Sequence, residues 1–369
     1  MEYVMESEPN ATAIINRKVV DYFSGCGYFG FQVDPDVVEA ACVAVRRYGI
    51  SSATTRAGYG TNPVLLDIEE KAARFFGTSH VLYFVSGCFG TPMLLEALRD
   101  DYEKIFIDSE SHYSSRLATS STQKPVIIFN HRSPDDLKQK LHDCLVPKER
   151  PLILCDGIFP ISGELSPLPD YVDITGQIAG AIICVDDAHA TGVIGEKGHG
   201  TFEYFNLHGE RLYSCGTLSK ALGGHGGIIF GDDEFIKRLR TKSILANACS
   251  NVTIPAAAAT AKALDILHND PGIREQLWEN VAHAKNGLRR LGFDINHTPV
   301  PIICLYDKDK KIDFKALQLE LFERNIAVTH VPYGGYTSVP DGGAVRISIF
   351  STHSHEQIDH LIAEIRQLI

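Results

Sequence analysis

The sequence predicts an α/β protein with a mostly parallel sheet, followed by a smaller α+β unit. Three observations predict it. Short continuous apolar runs recur (VLYFV, VIIF, LILC and AIICV), as suits strands buried on both faces of a parallel sheet. Helical segments alternate with these runs over more than 150 residues, which argues for crossover units. From Ile254 onward the texture changes to long helices with a few strands between them.

In order along the chain, a first helix is expected over 34–48, where Asp34-Pro35 is a start signal. Another follows over 62–76. Strands are expected over 80–85, 104–107, 125–129, 151–154, 181–185, 212–215 and 227–230, seven in all. Helices over 91–98, 133–145 and 233–242 lie between them. Ser133-Pro134-Asp135-Asp136 supplies a cap, a first-turn proline and acids at the positive end of the helix dipole. The Ala-rich stretch 254–270 and residues 273–291 read as two more helices. Strands over 301–305 and 344–349 and helices over 314–324 and 355–369 complete the chain. Asn269-Asp270-Pro271-Gly272 reads as a hinge. The expected organisation is an N-terminal segment 1–35, a large domain 36–272 and a small domain 273–369.

Composition narrows the function. Lys plus Arg number 35 and Asp plus Glu 46, a net charge of −11, which disfavours nonspecific nucleic-acid binding. The N-terminal MEYVMESEPN lacks the positive charge and apolar run of a signal peptide. No apolar run approaches the roughly 18–20 residues of a membrane helix. The nine cysteines include no C-x-x-C pair, so a zinc site of that kind is unsupported. A cytoplasmic location fits best.

Four segments carry the chemistry, each beyond an apolar strand. Lys220 is followed by the glycine cluster 223–227. It is either a surface loop lysine or a Schiff-base lysine whose pocket lowers its pKa. Thr217 and Ser219 offer hydroxyls to a phosphate. The cluster lacks G-x-G-x-x-G spacing, so it is no dinucleotide fingerprint. Asp186, Asp187 and His189 end a buried strand, at the sheet edge where ligands bind in open α/β folds. Asp186 is either a helix cap or a buried partner for a protonated pyridine nitrogen. His112 lies beyond a third strand and suits stacking on a flat cofactor. Ser86-Gly87-Cys88-Phe89-Gly90 is a small-residue turn before a helix, a natural phosphate site.

Together these segments resemble the α-oxoamine synthase family of fold-type I enzymes, which use pyridoxal 5′-phosphate. VDDAHATGVIGEKGHG and GTLSKALGGHGG are the specific matches. RAGYGT, SGCFG, CDGIFPISGELSPL and AVRISI extend the similarity from about residue 20 to the end. The resemblance implies a fold-type I transferase with a seven-stranded sheet, acting as a homodimer with shared active sites. It implies that Lys220 holds the cofactor as a Schiff base and moves the α-proton. By the same resemblance Asp186 pairs with the pyridinium nitrogen, His189 bonds the phenolic oxygen and His112 stacks on the ring. Backbone at Cys88 and Phe89, with Thr217, would bind the phosphate, and Ser250 and Asn251 would reach the neighbouring subunit's phosphate. Arg346 would clamp the substrate carboxylate as a bidentate fork.

Three positions depart from the family pattern. Cys26 stands where the family has an Asn near the substrate carboxylate, and Pro160 replaces a Ser; a proline offers neither hydroxyl nor N–H. Leu65 stands where a His is expected, although Arg56 is present. The leading expectation is a decarboxylating condensation of a small α-amino acid with an acyl-CoA, giving an α-amino ketone. An aminotransferase acting on an amino acid or amino ketone is the rival, and a noncatalytic cofactor-binding protein is the alternative of another class.

Overall fold

The structure is a computed structural model, and it describes residues 2–307, 309, 311–334, 339 and 341–369. The chain opens with a hairpin, β1 (Thr12–Ile15) and β2 (Lys18–Tyr22). Asn16 and Arg17 between them both have positive φ, 49° and 65°, the twist that a two-residue turn between antiparallel strands requires.

A seven-stranded sheet forms the centre of the molecule. Its strands are β3 (His80–Phe84), β4 (Lys104–Asp108), β5 (Val126–Phe129), β6 (Pro151–Asp156), β7 (Ile182–Asp186), β8 (Leu212–Thr217) and β9 (Gly227–Gly231). The spatial order is β3-β9-β8-β7-β6-β4-β5. The pairings from β8 across to β5 are parallel, and β9 runs antiparallel to both β8 and β3. All residues of β6 and β7 are buried, which is why both read as unbroken apolar runs ending in a single aspartate.

Three later strands and the chain's beginning build the rest. β10 (Ile302–Leu305), β12 (Thr329–Val331) and β13 (Ala344–Ser348) form one small sheet with β13 in the middle. β11 (Ile326–Ala327) instead pairs in parallel with β2. The first strands therefore join the C-terminal part of the chain. The Ala-rich helix Ile254–Asn269 and the helix Gly272–Arg290 meet at Asp270-Pro271.

Each expected helix and strand is present to within about two residues at its ends. Asp34 accepts from the Asp36 and Val37 N–H groups at 2.9 and 3.1 Å, and Ser133 caps its helix through the Asp136 N–H. The sequence pattern does not mark the β1–β2 hairpin, strands β11 and β12, or the helices Tyr113–Ser121, Leu168–Thr175, Thr201–Tyr204 and Ile244–Ala248. YSSRLATSS is rich in Ser and Thr, and LPDYVDIT in β-branched residues and aspartates, so neither has strong helix propensity; tertiary packing decides both.

Candidate active site

Parallel strands end on a common edge, and three of them deliver the site. β6 ends at Asp156, β7 at Asp186, and β8 runs out into Leu218-Ser219-Lys220. The register pairs Asp156 with Asp186 directly, and Asp186 with Cys215. One cavity of about 160 Å3 gathers Ser86, Gly87, Cys88, His112, Asp156, Pro160, Asp186, His189, Thr217, Ser219 and Lys220 among its lining.

Strand alternation separates the two consecutive aspartates. Asp187 turns away from the cavity and accepts from Thr201 Oγ1 at 2.7 Å and Thr201 N at 3.0 Å. Burial pushes its carboxyl up to about 7. Asp186 faces the cavity, 7% exposed, and accepts the Ala188 N–H at 3.0 Å. Burial raises its pKa, and Lys220 and His112 oppose that rise. Asp156 accepts the His112 N–H at 3.1 and 3.2 Å. Burial first, and then the neighbouring Asp186, hold its carboxyl well above the usual range. Burial thus favours the protonated form of Asp156.

The lysine faces a histidine. Lys220 Nζ lies 2.9 Å from His189 Nε2, and His189 Nδ1 lies 2.9 Å from the Tyr28 hydroxyl. Burial lowers the Lys220 pKa, against the pull of Cys26, Asp186 and Asp156. Burial, then Lys220, Arg346 and His112, hold His189 well below its ordinary value, so its ring is neutral. His112 caps the helix Tyr113–Ser121, and its Nδ1 lies 2.6 Å from Ser114 Oγ.

The turn at Ser86-Gly87-Cys88 closes the other end. A Cβ on Gly87 would sit 2.7 Å from Thr217 Cβ and 2.8 Å from Thr217 Oγ1, so glycine lets this turn lie against β8. Thr217 Oγ1 is 2.7 Å from Ser219 Oγ. The Cys88 N–H donates to Ser86 Oγ at 3.3 Å, and the Phe89 N–H to the Ser86 carbonyl at 3.0 Å. Phe89 itself packs against the apolar cluster behind the turn.

Arg346 is buried beside the cavity. Its Nε donates to the Pro160 carbonyl at 2.7 Å, and one terminal nitrogen donates to Ser348 Oγ at 2.8 Å and the Gly25 carbonyl at 3.3 Å. The other terminal nitrogen lies 3.6 Å from Cys26 Sγ. Asn251 ties down the loop 54–60 through the Thr54 and Gly60 carbonyls, at 3.3 and 2.9 Å, and Ser250 is exposed nearby. His225 is exposed and does not line the cavity. Asp156 and Tyr28 are the residues the sequence reading did not assign. Asp156 had a visible signal, an aspartate ending an apolar run as Asp186 does; Tyr28 stands in the Cys26–Gly30 stretch, whose pattern assigns it no role.

The profile of the aminotransferase class I and II family matches residues 28–365. The 8-amino-7-oxononanoate synthase of Thermosipho melanesiensis is 30% identical over 367 residues, 99% of this chain and 92% of that one.
The chain belongs to the α-oxoamine synthases, pyridoxal-phosphate-dependent transferases of the aminotransferase class I and II family.
The serine palmitoyltransferase of Sphingobacterium spiritivorum is 31% identical over 362 residues, 97% of this chain and 88% of that one. Among solved structures, a lysine-to-alanine variant of a serine palmitoyltransferase from S. paucimobilis with bound PLP–myriocin aldimine aligns with a TM-score of 0.90 at 23% identity, covering 100% and 92% of the two chains. Among the described residues, no helix of this α-oxoamine synthase is long and apolar enough to cross a membrane.

The cavity fits the cofactor of that family. Asp186 is a buried carboxyl suited to a cationic ring nitrogen, an amine and an imidazole stand beside it, and hydroxyls with a glycine-opened turn lie at the far end.

Proposed function

We propose that this enzyme condenses a small α-amino acid with an acyl-CoA, releasing CO2 and free CoA and giving an α-amino ketone. The observation that carries this reading is the Lys220–His189 contact beside buried Asp186, in a chain similar over nearly its whole length to proteins named as two such synthases.

In this reading Lys220 would hold the cofactor's aldehyde carbon, Asp186 its ring nitrogen, His189 its phenolic oxygen and His112 its ring face. Cys88 and Phe89 backbone with Thr217 would hold its phosphate, and Ser250 and Asn251 would serve the neighbouring subunit of a homodimer. Bound pyridoxal phosphate supplies an electron sink for negative charge at the substrate's α-carbon. Lys220 Nζ takes the α-proton and returns it at the end; burial lowers its pKa and so raises the fraction of amine free to act as a base. Asp186 stays ionised once a cationic nitrogen faces it, and so keeps the proton on that nitrogen. His112 and Pro160 wall the cavity and limit water. Arg346 places its charge behind Pro160 and Cys26, drawing the substrate carboxylate through space while its donors stay engaged. The nine free cysteines suit the reducing cytoplasm.

The engaged guanidinium also favours a second reading, transamination of an amine or amino ketone that carries no carboxylate. The test incubates the holoenzyme with a panel of amino acids, with and without a panel of acyl-CoAs. Free CoA and an amino ketone by mass spectrometry, only when both substrates are present, support condensation. Amino-group transfer to a keto acid, indifferent to acyl-CoA, refutes it. Borohydride reduction followed by peptide mapping checks the anchor: the pyridoxyl mass belongs on the Lys220 peptide, and its appearance elsewhere would remove Lys220 from the role.

A further inference from the structure

Arg346, Tyr28, His189 and Lys220 form a directional chain of three links, two of them hydrogen bonds at 2.9 Å and the first an electrostatic contact. Arg346 is immobilised by the Pro160 carbonyl at 2.7 Å, Ser348 Oγ at 2.8 Å and the Gly25 carbonyl at 3.3 Å. Its other terminal nitrogen donates to Cys26 Sγ at 3.6 Å and interacts electrostatically with the Tyr28 hydroxyl. Tyr28 is fully buried, and its hydroxyl is 2.9 Å from His189 Nδ1. His189 Nε2 is 2.9 Å from Lys220 Nζ. The backbone around Tyr28 is held in place from the lysine's own loop: Gly223 has φ +60°, and a Cβ there would meet the Gln32 backbone nitrogen at 2.3 Å.

We propose that Tyr28 is a positioning residue that locks the His189 ring with its proton on Nε2, and that Arg346 sets the direction of the lock. A guanidinium has only donors. A phenol oxygen facing that cation turns its lone pairs toward it and its O–H away. The acceptor within reach on the other side is His189 Nδ1. Nδ1 is then bare, and a neutral imidazole carries its single proton on Nε2. A second proton on the ring is opposed first by burial and by the Arg346 guanidinium from β13; Lys220 from the loop after β8 and His112 from the start of its helix face the same ring. The Nε2–H therefore points at Lys220 Nζ and donates to its lone pair, an arrangement that takes Lys220 as the free amine its burial favours. The cofactor side of the ring always presents a donor, whatever lies there. This deepens the proposed site, because it specifies which atom of His189 would meet a phenolic oxygen, and it does not depend on the acyl donor.

The experiment is two-bond 1H–15N correlation on protein labelled with 15N-histidine, in cofactor-free and cofactor-loaded forms, with H189Q identifying the His189 signals. The expected result is the Nε2–H tautomer in both forms, unchanged between about pH 6 and pH 9. A wild-type ring protonated on Nδ1, or on both nitrogens, overturns the proposal without any variant. Y28F removes one oxygen and keeps the ring that fills the core. In it the tautomers should mix, and the pH midpoint of the visible absorbance of the Lys220-linked cofactor should move by at least about one unit, a tenfold change. Wild-type tautomer and midpoint in Y28F overturn the proposal. A protein with no synthase activity but the Nε2–H tautomer would sink the condensation reading alone; an active synthase with the Nδ1–H tautomer would sink this one alone.

Discussion

The turn at Gly87 offers the sharpest test of how the cofactor site is built. Gly87→Ala adds one methyl group where Thr217 Cβ stands 2.7 Å and Thr217 Oγ1 2.8 Å away. Both atoms belong to a stiff β-branched side chain at the end of a central strand, so the neighbour cannot swing aside as a flexible side chain would. Gly87 has no positive φ, so the backbone accepts alanine and the steric clash is isolated. The turn must retreat from β8 by several tenths of an ångström. Overpacking of this kind costs about 1–3 kcal/mol. If the turn and Thr217 together hold the phosphate, much of that strain appears in cofactor binding, and the Kd for pyridoxal phosphate should rise about 5- to 150-fold. The assay is an absorbance titration of cofactor-free protein, with thermal unfolding of the same samples to find any strain expressed as lost stability. A G87A protein with wild-type cofactor affinity would refute the placement of the phosphate at this turn, whatever its melting temperature.

Asp186→Asn keeps shape but removes the charge that would face the ring nitrogen; losing one such electrostatic stabiliser costs about 100- to 1,000-fold in rate, so kcat should fall by at least about 100-fold while the protein still folds. Near-wild-type kcat would remove Asp186 from that role. His131 predicts a pH dependence of stability. Burial lowers its pKa, but the hydrogen bond to Asp108 at 2.9 Å and the ion pair with Glu164 at 3.7 Å outweigh that and carry it from 6.5 up to about 9. A raised folded-state pKa stabilises fully below the unfolded value of about 6.5, and the contribution disappears as pH rises through about 9; it amounts to at most about 3 kcal/mol, reduced by solvent screening at Glu164. Urea unfolding should show this loss between those pH values in the wild type and a flatter profile in H131Q; identical profiles would rule it out.

Local pattern carried most of the architecture. Runs such as LILC and AIICV leave no polar face, so they belong inside a sheet covered on both sides, and Asp34 and Ser133 announce their helices through side-chain oxygens that cap them. The same logic located Asp186, His189, Thr217 and Lys220, because a polar residue directly after a buried strand must emerge at the sheet edge, where parallel strands converge. Residues at or beyond the ends of four strands, Cys88, His112, Asp186 with His189, and Thr217 with Lys220, thus share one cavity.

Other features had no local signature. Tyr28 reads as an ordinary core aromatic until its hydroxyl is found beside His189, 161 positions away. Arg346 reads as a free fork, yet backbone carbonyls at Pro160 and Gly25 take up its donors, and a carbonyl partner leaves no trace in residue type. The pairing of Asp156 with Asp186 depends on strand register, and the union of β2 with β11 on a parallel pairing across some 300 residues. Residue type and spacing determine which groups emerge from each strand; only the packing of strand on strand decides which of them meet, because hydrogen-bond geometry and proton position depend on distances of a few ångströms that no single segment specifies.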